Sequence, residues 1–261
     1  MDTYNIYHED RCDVGDYLEN YFSDKPGKAF GNLKVPIENL NEAFTEGRIR
    51  GDVLIDMSTG PMVHHLFSLC EFFQNLIVLK VQDRCIMELK RWLNSHTGAF
   101  DWGHATKLHG EIEGISDESQ DKEEKVRSAV QHVVKWDLEN ENMMDSIVLP
   151  PANCIISAWL LDVISKDQDD YIRYLRKFSR FLKPGGHLIL VGCIGATYLK
   201  VGKDKFHTFS YDEDFARKAL VGEGFIIDYC EVKEKAVSDL SDYKAIIVIA
   251  AHKEKNKCFF S

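Results

Sequence analysis

The stretch Gly51-Asp-Val-Leu-Ile-Asp-Met-Ser-Thr-Gly-Pro61 decides the fold of this chain. Its apolar residues run together, as in a strand buried on both faces. The turn Ser58-Thr-Gly-Pro61 follows, and then a helical apolar pattern that extends to Cys70. A buried strand, a Gly turn and a helix start form the usual nucleotide cradle of α/β proteins, because Gly lets the backbone approach a ligand. The same pattern is equally compatible with a strand–helix turn that binds nothing.

The composition is that of a globular chain: 261 residues, 44% hydrophobic and 28% charged. A net charge of -10 argues against a nucleic-acid partner, which needs a basic face. The sequence has neither an apolar run of the ~20 residues that span a bilayer nor a secretory signal, so we expect no stable membrane insertion. The seven Cys are scattered without a Cys-x-x-Cys pair. These features predict a cytoplasmic protein with reduced thiols and no metal site, and we expect a monomer.

Strands and helices alternate from Asp52 onward, which predicts a mostly parallel sheet with right-handed crossovers. The last two predicted strands are joined by a polar loop without helical pattern, which indicates an antiparallel hairpin at the sheet edge. The predicted strands span 52–57, 75–81, 133–138, 153–159, 186–193, 225–232 and 245–251. The predicted helices span 61–73, 83–95, 121–132, 167–182 and 211–222.

Residues 1–50 lie outside this alternation and are polar and aromatic. A short helix is expected in Asp16-Tyr-Leu-Glu-Asn-Tyr-Phe22, and a second from Glu38 to Gly47. We therefore expect one domain over 1–261, with an N-terminal helical cap over 1–50 and a Rossmann-like core over 51–261. On these residues alone a packed edge is the simpler interpretation of the cap, and a lid over a pocket is the alternative.

Eight stretches of the sequence, spread over nearly its whole length, point together to one family. They are Asp16-Tyr-Leu-Glu-Asn-Tyr-Phe22, Gly51-Asp-Val-Leu-Ile-Asp56, Gly60-Pro61, Trp92-Leu93, Gly98-Ala-Phe-Asp-Trp102, Lys122-Glu-Glu-Lys-Val-Arg127, Lys135-Trp-Asp-Leu138 and Leu182-Lys-Pro-Gly-Gly-His-Leu188. Taken together and in order, they resemble the nicotinamide, indolethylamine and phenylethanolamine N-methyltransferases. The resemblance implies a class I S-adenosylmethionine-dependent fold, with a seven-stranded mostly parallel sheet, an antiparallel last strand and an N-terminal helical lid. It also implies methyl transfer to the nitrogen of a small amine or pyridine acceptor.

The resemblance also predicts where S-adenosylmethionine would bind. A Tyr of the N-terminal helix covers the cofactor in the family, and Asp137 with Leu138 matches the pair that holds adenine. The alternative for Asp137 is a purely structural role as a capping residue at a strand end. The predicted cofactor-binding residues are Tyr17, Phe22, Gly60, His64, Asp137 and Leu138.

Several residues depart from the family pattern at this site, among them Ser58, Lys80 and Ala158. Ser58 replaces a Gly, so its side chain would crowd the ligand or force a strained φ. Lys80 stands where a carboxylate accepts the ribose hydroxyls, and an ammonium only donates. Ala158 replaces a Thr. Two hypotheses follow: an active N-methyltransferase with an altered acceptor pocket, or an inactive member that serves as a binding or regulatory protein.

The acceptor side rests on Asp162, which falls on an acidic residue that faces the acceptor in the family. We predict that it orients the substrate, because a lone Asp among apolar neighbours needs a polar partner or a ligand. Tyr198 is predicted to bind substrate as well. Gly192 replaces a second acid of the nicotinamide enzyme, which makes nicotinamide itself a doubtful acceptor.

The C-terminal Cys258-Phe-Phe-Ser261 has the form of a farnesylation box behind several Lys. A frayed, unmodified tail is the favoured interpretation, because a four-residue match is common by chance.

Overall fold

A central mixed sheet organises the molecule. The computed structural model describes residues 5–7, 12–26, 28, 34–46, 49–114, 119–138, 140, 149–234 and 239–254. Within these ranges, a two-stranded hairpin, β6 with β7, stands apart from the seven-stranded sheet. The strands are β1 Gly51–Asp56, β2 Phe73–Lys80, β3 Val130–Lys135, β4 Ala152–Ala158, β5 Leu182–Ile194, β6 Tyr198–Val201, β7 Asp204–His207, β8 Phe225–Glu234 and β9 Ala245–Lys253.

Helices cover the two faces of the sheet and its carboxyl edge. They bury their apolar stripes against strands such as β1, of which Leu54 and Ile55 are wholly buried. The helices are α1 Val14–Phe22, α2 Lys34–Glu46, α3 Leu66–Leu69, α4 Asp83–Leu93, α5 Gly103–Glu113, α6 Ser119–Ala129, α7 Leu160–Ile164, α8 Gln168–Ser179 and α9 Glu213–Gly222.

The sheet has the strand order β3-β2-β1-β4-β5-β9-β8. β1 pairs in parallel with β2 and β4, whereas β9 is antiparallel to both β5 and β8. The expectation of a mostly parallel sheet with an antiparallel last strand is therefore confirmed. The order reverses between β1 and β4, and the crevice beyond such a switch point is where open α/β sheets bind ligands.

The predicted helix 61–73 is wrong in its extent, since α3 spans only Leu66–Leu69. The turn before it uses tight backbone bonds, from Leu66 N–H to Val63 O and from Phe67 N–H to His64 O. The side chain of His65 is drawn to Asp56, which holds this turn against β1. The helices α5 and α7 and the β6–β7 hairpin were not predicted, while the β8–β9 hairpin at the sheet edge is confirmed.

The two cap helices have different positions. α1 packs against α4 and β6, and its Tyr17 ring covers the turn after β1. α2 packs on β8, β9 and α5. The lid interpretation thus fits α1, and the packed-edge interpretation fits α2. Cys258 lies outside the described residues. No helix in the described ranges is long and apolar enough to cross a membrane.

Candidate functional site

The turn after β1 admits only glycine at position 60. Gly60 has φ +60°, and a Cβ there would lie 2.3 Å from Cε1 of Tyr17. The Gly60 N–H donates to the hydroxyl of Tyr7 over 2.7 Å. The Gln82 side-chain amide donates in turn to the Tyr7 carbonyl. The N-terminal segment therefore caps the backbone donor that this turn offers.

The strained backbone expected at Ser58 is wrong, whereas the crowding of a ligand by its side chain stays a prediction. Its side chain is buried, and its hydroxyl accepts a hydrogen bond from the Ala158 N–H at 3.0 Å. Its own N–H donates to Asp56 Oδ1 at 3.1 Å. Ser58 is not among the described residues with positive φ. The side chain fixes the ends of β1 and β4 to one another.

Lys80 forms a buried ionic cluster beneath the turn. Its Nζ donates to Ser58 O at 2.9 Å and lies 3.3 Å from Asp56 Oδ2. His65 Nε2 lies 3.0 Å from Asp56 Oδ1. Burial by itself would raise the pKa of Asp56, but Lys80 and His65 outweigh it and hold that pKa well below the usual value. The Lys80 ammonium thus pairs with buried groups of the protein and faces Asp56, not the crevice.

Aromatic rings cover the crevice beside this turn. The ring of Phe22 lies 5.2 Å from that of His64 and 5.4 Å from that of Trp102. Burial lowers the pKa of His64 well below its usual value, which keeps the imidazole neutral. Its Nδ1 is buried and has no hydrogen-bond partner in the described part of the chain.

The third-strand residues lie just past the end of β3. Asp137 is exposed and Leu138 is buried. The Trp136 N–H donates to Lys80 O at 2.8 Å, which fixes this segment to the end of β2. Asp137 and Leu138 therefore stand at the carboxyl edge of the sheet, on the same edge as Gly60.

An aromatic cavity of about 100 Å³ lies next to the Gly turn. Thr59 of the turn contributes to its wall, and Asp162 is its acidic residue. Leu199 of β6 lines it, whereas Tyr198 is not among the lining residues; the Lys205 Nζ lies 4.0 Å from the Tyr198 ring centre. Further walls come from Tyr17, Tyr21, Phe22, Trp159, Cys193 and Tyr243.

Asp162 lies in the first turn of α7, which the chain enters through a left-handed Trp159 with φ +59°. Oδ2 accepts a hydrogen bond from the Cys193 N–H at 2.7 Å, and Oδ1 from the Tyr211 hydroxyl at 3.0 Å. Burial raises the pKa of Asp162 to about 7, against the effect of these two donors. The carboxyl can therefore exchange a proton near neutral pH.

The comparisons with known proteins give this geometry a context. The chain matches the NNMT/PNMT/TEMT family over residues 3–254. It belongs to that family. Human nicotinamide N-methyltransferase is 31% identical over 255 residues, which cover 97% of this chain and 95% of the relative. Indolethylamine N-methyltransferase of Oryctolagus cuniculus is 34% identical over 215 residues, 82% of each chain. The resemblance found in the sequence is thus confirmed.

Solved structures similar to this family member show the fold. Magnesium protoporphyrin IX methyltransferase from Synechocystis PCC 6803, solved with bound SAH, has a TM-score of 0.57 at 11% identity and covers 92% of this chain and 93% of that one. The DhpI–SAM–HEP complex has a TM-score of 0.56 at 14% identity, over 95% and 94%. With the strand order above, they confirm the class I methyltransferase fold.

Sequence reasoning missed two residues of this site. Tyr7 reaches Gly60 across 53 positions and Tyr211 reaches Asp162 across 49. No local pattern marks either residue, because both contacts join segments that are far apart in the sequence. Gly192 gives a weak signal for Tyr211, because a glycine in a buried strand leaves space beside it that another side chain must fill.

Proposed function

We propose that this protein is an S-adenosylmethionine-dependent N-methyltransferase that methylates the nitrogen of a small amine or pyridine acceptor. One observation carries the proposal: a single cavity wall, made by Tyr17, Phe22 and Thr59, joins the Gly turn to the buried carboxyl of Asp162. A donor cradle and an acceptor pocket must adjoin in this way for direct transfer. The relatives are named as N-methyltransferases, which supports an active enzyme over the inactive alternative.

The residues present fit S-adenosylmethionine. Gly60 carries no side chain between its backbone and the Tyr17 ring, and Thr59 of the same turn lines the aromatic cavity. Tyr17 and Phe22 would cover the bound molecule, while Asp137 and Leu138 would hold its adenine. When bound, the cofactor supplies an electrophilic methyl group on a sulfonium.

The chain's own residues supply position and electrostatics, which is what an in-line displacement requires. Asp162 orients the acceptor nitrogen. In its ionised form it also stabilises the positive charge that this nitrogen gains. The rings of Tyr17, Phe22 and Trp159 exclude water, so the carboxylate acts through a low dielectric.

A methylation assay with nicotinamide and phenylethanolamine tests this function, alongside the thermal shift produced by S-adenosylhomocysteine. We expect turnover by the wild type. In Asp162→Ala, turnover should fall about 100-fold or more, as for other positioned electrostatic groups, while the thermal shift stays. Equal loss of both, with a lower melting temperature, would make Asp162 structural.

We also propose a monomer in the cytoplasm, on the basis of composition and charge. Light scattering after size-exclusion chromatography measures the oligomeric state. Cell fractionation checks the location. A dimer or a membrane fraction would contradict them.

A further inference from the structure

The hydroxyl of Tyr211 fills the space above Gly192. A Cβ at position 192 would lie 1.9 Å from that hydroxyl oxygen, and 3.1 Å from Asp162 Oδ1. Tyr211 comes from the loop before α9, and only 8% of it is exposed. Its carbonyl accepts a hydrogen bond from the Gly195 N–H, just past the end of β5. Gly192 and Tyr211 are therefore a matched pair: the absent side chain makes room for the phenol, which donates a hydrogen bond to Asp162.

We propose that Tyr211 is a positioning residue that replaces a side chain at 192, holds the Asp162 carboxyl, and so selects an acceptor nitrogen that is uncharged when it binds. The acceptor part of this inference rests on the proposed function. The Tyr211–Asp162 part does not, because it concerns the folded chain alone.

The geometry favours an uncharged acceptor for two reasons. Both Asp162 oxygens already accept a hydrogen bond, from Cys193 N–H and from the Tyr211 hydroxyl. The rest of the cavity wall is mostly apolar and aromatic. Burying an ammonium there is unfavourable unless the charge is fully paired, and a carboxyl that already accepts two hydrogen bonds pairs it only in part. An aromatic nitrogen with a free lone pair avoids that cost.

The transfer step balances without a base. The lone pair of the acceptor nitrogen forms the new N–C bond while the C–S bond breaks, and its electron pair goes to sulfur. The positive charge ends on the acceptor, so no proton has to leave. A protonated amine would first have to give up a proton, and only the ionised form of Asp162 could take it.

The titratable groups that face Asp162 come from three elements. They are Tyr171 of α8, Tyr211 before α9 and Cys193 of β5. Burial raises the pKa of both phenols, so they stay neutral near pH 7. Tyr17, Tyr21 and Tyr243 stand elsewhere in the cavity wall. Asp162 is thus the group expected to change charge there between pH 6 and pH 8.

A double-mutant cycle tests the matched pair. Gly192→Ala should lower the melting temperature in the wild type and do so far less in a Tyr211→Phe background, where the clashing oxygen is gone. Gly222→Ala is the control, because its Cβ would meet nothing within 4 Å. Additive effects at 192 and 211 would overturn the pairing.

The ionisation of Asp162 tests the positioning role. Carboxyl carbon NMR on aspartate-labelled protein, assigned with Asp162→Asn, follows its titration. In Tyr211→Phe the midpoint should rise by about one pH unit, because a hydrogen bond to the ionised form is lost. Tyr229→Phe, which removes a phenol that contacts Glu42, should leave it unchanged. An unchanged midpoint in Tyr211→Phe would overturn the role.

Two acceptors separate this inference from the proposed function. Because the Tyr211 hydroxyl fills the space above Gly192, the missing acid at 192 no longer argues against nicotinamide. At pH 7.5 with saturating S-adenosylmethionine, we expect kcat/KM for nicotinamide, a neutral pyridine, to exceed that for protonated phenylethanolamine at least about tenfold. A preference for phenylethanolamine would overturn the acceptor class while leaving the proposed function intact. If neither probe is methylated, the acceptor part and the proposed function fail together, and the titration still decides the role of Tyr211.

Discussion

The hydroxyl of Tyr7 lies 2.7 Å from the backbone nitrogen of Gly60 and accepts its hydrogen bond. The Gly60 N–H of the turn after β1 is therefore engaged by the chain itself. A ligand group that uses this N–H has to displace the phenol, so cofactor binding and the position of the N-terminal segment are coupled.

Removing that hydroxyl should change the response to ligand. Tyr7→Phe leaves the buried Gly60 N–H without its partner, which should cost about 1–3 kcal/mol of stability. S-adenosylhomocysteine should then raise the melting temperature by more than in the wild type, because it no longer competes with Tyr7. Differential scanning fluorimetry measures both, with Tyr229→Phe as control. A smaller shift in Tyr7→Phe would mean that the hydroxyl helps to hold the ligand.

Lys80 should be a stability residue. Lys80→Met leaves the Asp56 carboxylate buried with His65, and removing one partner of a buried pair costs about 3–5 kcal/mol. The penalty should shrink as the pH falls, because a protonated Asp56 no longer needs the ammonium. Lys135→Met is a matched control, since Lys135 pairs with Lys80 in the sheet register and its ion pair with Asp83 is exposed. Urea unfolding at pH 5 and pH 7 measures this; equal, small effects would refute it.

The structure also changes the expected outcome of Lys80→Asp. From the sequence, such a change should restore an acceptor for the ribose hydroxyls. Because the Lys80 side chain faces Asp56, the new carboxylate would enter a buried site beside another carboxylate. We expect poor folding instead of tighter cofactor binding, and circular dichroism of the purified variant decides between the two.

Asp137 should carry part of the cofactor affinity. Asp137→Ala removes an acceptor at the end of β3, so the affinity for S-adenosylhomocysteine should fall roughly 5- to 150-fold, the equivalent of about 1–3 kcal/mol. Titration calorimetry gives the value, and stability should hardly change because Asp137 is exposed. Undiminished affinity would move the adenine site elsewhere.

Asp162 should make stability depend on pH. Its pKa is about 7 in the folded state and near the ordinary 3.8 in the unfolded chain, so the folded state holds the extra proton between these values. Stability should therefore fall as the pH rises from about 4 to about 7. Asp162→Asn cannot titrate, and its stability relative to the wild type should rise over that window and level off above it. His64 and His109 act in the opposite sense, since burial lowers both pKa values. Both histidines are present in the wild type and in Asp162→Asn, so their contribution cancels in the difference between the two free energies of unfolding. A flat difference in urea unfolding from pH 4 to pH 8 would contradict the prediction.

The sheet could be read from the sequence because its signal is local. Runs such as Val53–Ile55 identify buried strands, and the polar loop before β9 indicates a hairpin. The turn around His65 could not be predicted, because its shape depends on a side-chain contact with Asp56. Asp162 was recognised as a charge among apolar neighbours, whereas its partner Tyr211 was not. Residues that meet across the cavity leave no periodic trace.

The position of β9 has a consequence for the growing chain. β9 is the last described strand in sequence, yet it lies inside the sheet between β5 and β8. Until residues 245–253 have been synthesised, β5 presents an open edge and β8 has no neighbour. Most strands of this sheet are therefore synthesised before β9 can pair with β5 and β8. Nascent chains stalled before Ala245 should need a chaperone to stay unaggregated.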